Sequence, residues 1–587
     1  MLKLIVQTYK RVYRLLPSNK RKHSILILFL LGLSSTLDLA GLGALLPLFI
    51  FVLDPEALST DGIFLDVFNA LGFDSETNFI IFLSSLIFLI VLVKNLIGLF
   101  IHYLIAKFTF SVQEYFSNLL LFKYFHRGLT FIKESNSNRV ARDVNGVPGK
   151  FSTNLLLPLM NMTNELILIC LVVLALFLYN PWVVLLVLAV VLPTFLLFYS
   201  FSKNRVQYYA EKIYEISPRI SKVLYESFFG YVDIKVSGTE DKFRRDYQRN
   251  LRESVKYQVL NQTFKQAPTK VVETSMILGI LIIICFGLFY YSNREALLTL
   301  LSVFALAAYR LIPSANRLMV ALIDVKAHQY SIEVLNRVNT NYPEEDQKSD
   351  RIKFENRIQF KNVNFSFTDG QVIIDGIDLE LKKGERLGVI GQSGSGKSTL
   401  MNLLLLFYEP DTGSILCDEQ EIGISSQKVW RKLIGYVPQE VFLNDGNIRE
   451  NVAFGVSEES IDDKKVIECL ERASLAQLVE SLEKGIYSSI GERGSRLSGG
   501  QRQRIGIARA LYFGAQILLF DEATSALDSA TEREITDSIA KLAEEDMTML
   551  IIAHRTTSLK HCNRIIELEE GKIKAEHQYD SLIKEYH

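Results

Sequence analysis

Long runs of apolar residues dominate the first half of the chain. Each run reaches the roughly 20 residues that an α-helix needs to cross the hydrocarbon core of a bilayer. The runs cover residues 24–52, 79–108, 155–179, 182–200, 271–291 and 296–323. The pattern therefore predicts six membrane-spanning helices. The first run is too long for a cleaved signal peptide and lacks a convincing small-residue cleavage site, so we expect it to remain as an anchor.

The segments between the apolar runs differ in charge. Residues 1–23 carry seven Lys and Arg and no acid, whereas residues 54–78 carry acids and no Lys or Arg. Because basic loops stay on the cytoplasmic side, the first segment is predicted to lie inside and the second outside. With six spans, both termini are then cytoplasmic. In the outer segment, the apolar residues of FLDVFNALGF recur at helical spacing, which predicts a short amphipathic helix on the outer interface or packed on the protein itself.

The two long inner segments, residues 109–154 and 201–270, are polar and helical in pattern. We expect the membrane helices to continue through them into the cytosol. Beyond residue 351 the pattern changes to that of a soluble α/β protein, in which short apolar strands alternate with helices. The sequence therefore predicts a membrane domain over 1–330, a linker over 331–350 and a cytosolic domain over 351–587.

Composition agrees with a hybrid of membrane and soluble parts, with 49% hydrophobic and 22% charged residues and a net charge of -1 over 587 residues. The five cysteines lie far apart, without metal or redox spacing, which argues against a disulfide scaffold. No nucleic-acid-binding module is evident.

A glycine-rich loop follows an apolar strand in RLGVIGQSGSGKSTLMNLLL. The pattern GxxxxGKS between a strand and a helix is typical of a loop whose backbone amides wrap a phosphate chain. Lys397 is expected to reach the outer phosphates, and the Ser398 hydroxyl to bind Mg²⁺. The residues of this phosphate loop are Gly391, Gln392, Ser393, Gly394, Ser395, Gly396, Lys397, Ser398 and Thr399.

Two adjacent acids end a second apolar strand in QILLFDEATSALD. Asp521 is expected to hold Mg²⁺ through water, and Glu522 to orient or deprotonate the attacking water, since phosphoryl transfer needs mainly positioning and charge neutralisation. Two acids at a strand end could also be a helix cap. The phosphate loop upstream favours the catalytic interpretation.

Between these two motifs stands RLSGGQRQRIGIARAL, and here the chain resembles the ATP-binding cassette family. LSGGQ is the signature of that family, and six spans followed by one cassette are similar to an exporter-type half-transporter. The resemblance implies an ATPase that uses ATP and Mg²⁺. It also implies that the signature residues bind the terminal phosphate of ATP held by a second subunit; they are Ser498, Gly499, Gly500 and Gln501.

Further positions match the family one by one. Gln439 in GYVPQE resembles the glutamine that senses Mg²⁺, and His554 in IIAHR resembles the switch histidine that contacts the terminal phosphate. Asp528 in SALD resembles the residue of the loop that crosses between cassettes. Phe367 in NVNFSFTDG stands where the family has an aromatic, usually tyrosine, that stacks on adenine; a core strand residue is the other interpretation.

The resemblance also implies a dimer, since one chain supplies only half of each ATP site. All motifs including Glu522 are intact, so a homodimer is favoured over a pair with one degenerate site. ATP would hold the cassettes together and hydrolysis would release them, moving the membrane domains as rigid bodies. The segments expected to transmit this motion are residues 138–147 and 226–236.

Basic residues within the apolar runs bear on the cargo. In AAYRLIPSANRLM, Arg310 lies about 21 Å from the outer end of its run at about 1.5 Å per residue, and Lys94 lies at nearly the same depth. Charges inside a bilayer commonly face a polar cavity or a partner. Two cations at one level, doubled by a dimer, would suit a phosphate or pyrophosphate group. The candidate substrate residues are Lys94, Lys270, Arg310 and Arg317.

Structural roles for these cations stay open at this point. Arg317 lies near the inner surface and could simply extend to the interface. Glu165 could neutralise Arg310 or Lys94, and Asp38 could serve either a structural or a functional role.

The cargo prediction comes from a second, more specific resemblance. YRLIPSANR is similar to the sixth span of bacterial flippases for lipid-linked oligosaccharides, the PglK type, which also have a short outer helix and a cation where this chain has Lys94. Thr269 stands where that group has an arginine, with Lys270 beside it. The resemblance implies ATP-driven movement of a polyprenyl-pyrophosphate oligosaccharide across a bacterial inner membrane, with the cassette in the cytoplasm.

Three other functions stay open. A flippase for lipid A or phospholipid would share the design and its phosphate-binding cations. A multidrug exporter would need an aromatic, largely uncharged cavity, which the charged level at Lys94 and Arg310 disfavours. A nucleotide-gated channel or regulator belongs to a different class, and ATP-coupled flux as opposed to passive current would distinguish it.

Overall fold

The helical and the α/β parts of the chain form separate units, Met1–Pro343 and Glu344–His587, in the computed structural model. The structure describes residues 2–43, 68, 70–73, 75–135, 137–179, 181–290, 294–339, 352–367, 370–523 and 529–586. Some side chains within the helices, including that of Arg310, are also outside this description. The described residues do not include most of the predicted outer helix at 64–73. They also do not include Asp528, which was predicted to lie in the loop that crosses between cassettes.

The first unit is helical throughout its described residues. Its helices are α1 Leu2–Leu15, α2 Ser18–Gly43, α3 Glu76–Phe125, α4 Gly128–Glu134, α5 Ser137–Phe151, α6 Leu157–Tyr179, α7 Pro181–Phe229, α8 Tyr231–Ser237, α9 Glu240–Tyr290, α10 Arg294–Ala327 and α11 Gln329–Asn339. A π-helical turn, Ser152–Leu156, joins α5 to α6.

Three helices are far longer than a bilayer requires. The helices α3, α7 and α9 have 50, 49 and 51 residues, or about 75 Å each at about 1.5 Å per residue. They carry the apolar runs into the polar segments that follow or precede them, as the sequence pattern predicted.

Among the described residues, three stretches are long and apolar enough to cross a membrane: Ser18–Gly41, Thr77–Phe125 and Val140–Leu178. They contain the first three predicted spans as far as these are described. The other predicted spans fall at the start of α7, the end of α9 and within α10, where many side chains are not described. The count of six spans stays a prediction.

The end of the helical unit differs from the sequence-based expectation. The predicted linker begins at residue 331, but α11 continues to Asn339, and its Ile332 and Leu335 are buried in the core of the helical unit. Apolar side chains three residues apart give this short helix one buried face. The segment therefore packs as part of the helical unit.

The second unit contains two sheets. The strands are β1 Arg357–Ser366, β2 Val372–Lys382, β3 Arg386–Gly391, β4 Thr412–Cys417, β5 Gln420–Glu421, β6 Ile434–Val437, β7 Ile517–Asp521, β8 Thr548–Ile552, β9 Arg564–Glu569 and β10 Lys572–His577. An antiparallel sheet has the order β2-β1-β4-β5, and a six-stranded sheet has the order β10-β9-β3-β8-β7-β6.

The helices of this unit are α12 Lys397–Leu404, α13 Gln427–Trp430, α14 Ile448–Val452, α15 Asp463–Arg472, α16 Ala476–Ser481, α17 Gly499–Tyr512, α18 Ser529–Glu544 and α19 Tyr579–Tyr586. In the larger sheet, β9, β3, β8, β7 and β6 run parallel. Strands β8 and β7 are buried and apolar apart from Thr548 at the start of β8 and Asp521 at the end of β7, as expected for a parallel sheet covered on both faces. Because β3, β8 and β7 are neighbours, the residues that follow them meet at one edge.

Candidate functional site

The phosphate loop leaves this edge of the sheet between β3 and α12. Its backbone has positive φ at Gly391, Gly394 and Gly396, with angles of 151°, 84° and 103°. A Cβ at Gly391 would lie 2.2 Å from the Leu568 carbonyl oxygen, so this turn requires glycine. The Lys397 ammonium donates to the carbonyl oxygens of Gly391 and Gln392 at 2.7 and 2.8 Å. The loop is thus wrapped around its own lysine.

The loop also holds polar groups suited to a phosphate chain. The buried Ser395 hydroxyl has no hydrogen-bond partner within the described part of the chain, and α12 begins directly after Gly396. A helix N-terminus and unsatisfied donors together favour an anion. Burial lowers the pKa of Lys397, and the negative charges of Glu522 and Asp521 partly oppose that shift. The lysine, the hydroxyls and the backbone amides therefore fit the triphosphate of ATP.

The two acids lie at the end of β7, as their sequence position predicted. Tyr436 donates to one oxygen of Asp521 at 3.1 Å. Glu522 has a positive φ of 51°, an uncommon conformation for a residue with a side chain and one that often marks functional positions. His554, two residues after β8, places its Nε2 at 2.7 Å from Glu522 Oε1. The fold thus brings Lys397, the two acids and His554 to one edge of the sheet.

The residues proposed for Mg²⁺ can be tested against this geometry. Hydroxyl, amide and carboxylate oxygens are the ligands that Mg²⁺ prefers. Ser398 offers a hydroxyl at the start of α12, and Asp521 a carboxylate at the end of β7. Gln439 follows β6, the neighbour of β7, and offers a side-chain amide oxygen; its backbone carbonyl oxygen accepts from the side-chain amide of Gln503. This set of oxygen donors fits Mg²⁺.

The signature segment forms the first turn of α17. The Ser498 hydroxyl accepts from the Gln501 backbone N–H at 3.2 Å, and the Gln501 side chain accepts from the Ser498 N–H at 2.8 Å. This reciprocal cap satisfies two donors of the helix terminus. The spacing S-x-x-Q contains this signal, which the sequence interpretation did not use.

Phe367 directly follows β1. Its ring is half-buried and packs edge-on against Phe365 and Tyr408, with ring centroids at 5.3 and 5.8 Å. It is therefore anchored by aromatic neighbours while part of it stays accessible. The ring thus packs against Phe365 and Tyr408 on one side and offers an accessible surface that suits base stacking.

Known proteins resemble this chain over different lengths. The sequence profile of the ABC transporter family matches residues 374–525. A protein named ATP-dependent lipid A-core flippase from Francisella novicida is 30% identical over 412 residues, 69% of either chain. One of the same name from Ralstonia nicotianae is 44% identical over 218 residues, and the alignment spans 37% of either chain.

The chain belongs to the ABC transporter family. A solved structure of a bacterial Atm1-family ABC exporter with ATP bound has a TM-score of 0.79 and 21% identity, covering 97% of this chain and 96% of that one. The fold is thus that of an exporter-type half-transporter, as predicted: a helical membrane domain followed by an α/β cassette. As an ABC transporter, the protein is an ATPase in which hydrolysis is coupled to transport.

The four candidate cations of this ABC transporter have different surroundings. Lys94 of α3 pairs with Asp38 of α2 at 2.9 Å, and each side chain is about one-fifth exposed. Gly41 makes room for the lysine, because a Cβ there would lie 3.0 Å from Lys94 Cδ. The pair borders a cleft of about 350 Å³ that is also lined by Ser34 and His102.

Arg317 does not simply extend to the interface. Its Nε and Nη2 donate to the two carboxylate oxygens of Glu165 at 2.5 and 3.2 Å, a bidentate pair between α10 and α6. Glu165 is only 5% exposed. The sequence interpretation considered Arg310 and Lys94 as partners of Glu165, and the described pairings differ, since Lys94 is paired with Asp38.

Lys270 is a surface residue of the helical unit and pairs with Glu273 one turn along α9 at 3.2 Å. Its neighbour Thr269 donates to the Asn316 side chain at 2.9 Å. The side chain of Arg310, like Asp528, lies outside what the structure describes.

The sequence interpretation missed two side chains that contact the ATPase site residues. They are Tyr436, whose hydroxyl contacts Asp521, and Gln503, whose amide contacts the Gln439 carbonyl. Both lie within the stretches GYVPQE and RLSGGQRQRIGIARAL, in which only other positions were assigned a role. Only the pairing of β6 with β7 brings Tyr436 beside the acid, and that register has no local sequence signal.

Proposed function

We propose that this ABC exporter is a homodimer that uses ATP to move a phosphate-bearing amphipathic lipid across a bacterial inner membrane. Lipid A–core glycolipids are the class we favour, because several relatives carry that name and one aligns over 69% of either chain. Polyprenyl-pyrophosphate oligosaccharides are the second class, suggested by the segment YRLIPSANR. Both cargoes combine phosphate, glycan and long apolar chains.

Hydrolysis would use the groups at the edge of the large sheet. Lys397 and the amides of the phosphate loop would hold the phosphates, and Phe367 would stack on the adenine. Mg²⁺, held by Ser398, Asp521 and Gln439, would neutralise phosphate charge when bound. Glu522 would take a proton from the attacking water.

His554 would contact the terminal phosphate and would also hold Glu522 in this role. Its Nε2 lies 2.7 Å from the Glu522 carboxylate, a contact that would orient the general base. The signature residues Ser498 to Gln501 would complete the site of the second chain, and Asp528 would lie at the crossing between cassettes. This sharing of sites is the reason for proposing a dimer. The distribution of basic residues is the reason for placing both termini and the cassette in the cytoplasm.

The cleft beside Lys94 is the observation that supports a polar head group as part of the cargo. It contains an ammonium, a carboxylate, an imidazole and a hydroxyl between two segments that are otherwise apolar enough to span a membrane. Intramembrane charges are costly and commonly mark a substrate path. A phosphate entering the cleft would compete with Asp38 for Lys94, while Ser34 and His102 supply further hydrogen bonds.

A double substitution separates this role from a structural ion pair. Replacing Lys94 by Met leaves Asp38 without its partner, so a defect alone would be ambiguous. In Lys94→Met/Asp38→Asn both charges are gone, so no unpaired carboxylate is left between α2 and α3. If Lys94 contacts phosphate, the double variant stays defective, and its apparent affinity for the lipid is about 10- to 100-fold weaker. This factor corresponds to the loss of one hydrogen bond to a charged group, which contributes about 1.5–3 kcal/mol.

The assay is lipid-stimulated ATPase activity of the full chain in nanodiscs. Lys256→Met, at an exposed lysine of α9, is the matched control and should match wild type. Separate titrations with lipid A–core, a polyprenyl-pyrophosphate oligosaccharide and phosphatidylglycerol identify the class. Full stimulation of the ATPase activity of Lys94→Met/Asp38→Asn by all three lipids would refute the phosphate contact. Stimulation of the wild-type protein by the polyprenyl-pyrophosphate oligosaccharide alone would overturn the preference for lipid A–core.

A further inference from the structure

The first turn of α18 contacts two functional segments of the cassette through adjacent residues. Glu532 is 6% exposed, yet it is a carboxylate. It accepts from Arg555 Nη1 at 2.6 Å, from Thr557 Oγ1 at 2.6 Å and from Ser558 Oγ at 3.1 Å. All three donors lie within the four residues that follow His554. This carboxylate therefore ties the histidine segment to α18.

Thr531, the residue before, meets the signature helix. A Cβ on Gly500 would lie 2.0 Å from Thr531 Cγ2, so the two backbones approach closely at this point. The start of α17 and the start of α18 are thus in direct contact. Since Thr531 and Glu532 are consecutive residues of one helix, α18 joins the signature segment to the histidine segment within a single turn.

The energetics favour a stiff connection at Glu532. A buried carboxylate is expensive unless it is hydrogen-bonded or paired. Burial raises the pKa of Glu532, but hydrogen bonds from Thr557, Arg555 and Ser558 outweigh that effect, and the net pKa is lowered. The carboxylate is thus ionised at neutral pH, and hydrogen bonds to a charged group are stronger than those between neutral groups.

We propose that Glu532 is a positioning residue that couples the switch histidine to the signature helix of the same chain. This inference rests on the proposed roles of His554 and the signature residues. In a dimer, His554 faces the ATP bound by its own chain, and Gly500 faces the ATP bound by the partner. Glu532 then links the two ATP sites through one helical turn and keeps His554 beside Glu522.

The test is steady-state ATPase activity of the full chain in nanodiscs. For Glu532→Gln we expect kcat to fall by about tenfold, because misplaced catalytic groups lose rate steeply. The KM for ATP should change by less than about twofold, because ATP binding depends on the phosphate loop and Phe367. Glu534→Gln is the matched control, since Glu534 sits on the same helix and pairs with Arg504 of α17 at 2.6 Å, but is mostly exposed.

A double-mutant cycle with Arg555 tests the connection itself. If both residues act through one contact, Arg555→Ala/Glu532→Gln is no slower than the slower single variant. Thr557→Ala removes one donor only and should give an intermediate loss, so a folded variant is available if Glu532→Gln is unstable. Unchanged kcat in Glu532→Gln, a parallel rise in KM, or an equal loss in Glu534→Gln would overturn the proposal.

The lipid cargo does not enter these measurements. Basal ATPase activity is read without added cargo lipid, so the coupling role of Glu532 can fail while the flippase proposal stands. Conversely, if the wild-type protein hydrolyses ATP but moves no lipid, the double-mutant cycle of Glu532 and Arg555 still tests the coupling role.

Discussion

The close approach of the signature helix to α18 predicts a specific defect and its rescue. A methyl group at Gly500 would lie 2.0 Å from Thr531 Cγ2, where ordinary van der Waals contact begins at 3.4 Å. The Gly500→Ala variant must therefore rotate the Thr531 side chain, whose χ1 is restricted by β-branching, or separate the two helices by up to about 1.4 Å, which costs about 1–3 kcal/mol as in an overpacked core. The same displacement moves Ser498, which caps the helix.

A shift of this size is expected to lower ATPase kcat by about 10- to 100-fold, since displacements near 1 Å can cost two orders of magnitude. Thr531→Ser removes the Cγ2 methyl but keeps the hydroxyl. The double variant Gly500→Ala/Thr531→Ser should therefore recover most of the lost rate, and Thr531→Ser alone should match wild type. Steady-state ATPase assays of the purified full chain measure all four proteins. If the double variant is as slow as Gly500→Ala, the defect does not arise from this contact and the steric reasoning is wrong.

Three further predictions concern other parts of the molecule. Glu522→Gln should reduce ATP turnover by at least about 100-fold and trap an ATP-bound dimer, because the general base is lost; near-normal turnover would refute the assigned base. Arg317→Met should lower the melting temperature, since it leaves the nearly buried Glu165 without its partner. Adding Glu165→Gln should restore much of that stability, and an equal or larger loss in the double variant would contradict a structural pair. Burial lowers the pKa of His328 to about 4, although a hydrogen bond to the Asp324 carbonyl oxygen partly opposes this shift. The free energy of unfolding should therefore fall by up to about 3 kcal/mol as the pH drops from 6.5 towards 4.

The measurements for the last two predictions are thermal unfolding in detergent. For His328, the folded state binds fewer protons than the unfolded state between pH 4 and 6.5, which fixes the sign of the effect. His328→Gln should show a smaller loss of melting temperature between pH 7 and 5 than wild type. Equal losses would mean that other groups govern the acid sensitivity.

The ATPase motifs could be predicted from the sequence because each is a local pattern. The phosphate loop needs glycines at fixed positions for its positive φ angles, and the acids need an apolar strand before them. The positions of Lys397, Glu522 and His554 at one edge follow from parallel strand order, whereas the sequence and the family resemblance indicated only that all three act at the terminal phosphates of one nucleotide. The contact of Glu532 with the histidine segment depends on tertiary packing and had no local signal.

The membrane domain was less predictable. Apolar runs located the helices, but they did not indicate which acid pairs with which cation. Lys94 pairs with Asp38, and Arg317 pairs with Glu165, because helix rotation and packing decide these contacts. Length and hydropathy do not determine helix rotation. For the same reason, the cargo proposal depends on experiments with the Lys94 cleft.

The proposed flippase activity is tested most directly by following a fluorescent lipid A–core analogue between the leaflets of sealed proteoliposomes. We predict movement that requires ATP and Mg²⁺ with the wild-type protein and stops with Glu522→Gln. A wild-type protein that hydrolyses ATP while neither this lipid nor a polyprenyl-pyrophosphate oligosaccharide changes leaflet would contradict the proposed cargo. Lipid movement of equal rate in Glu522→Gln would contradict coupling to ATP hydrolysis.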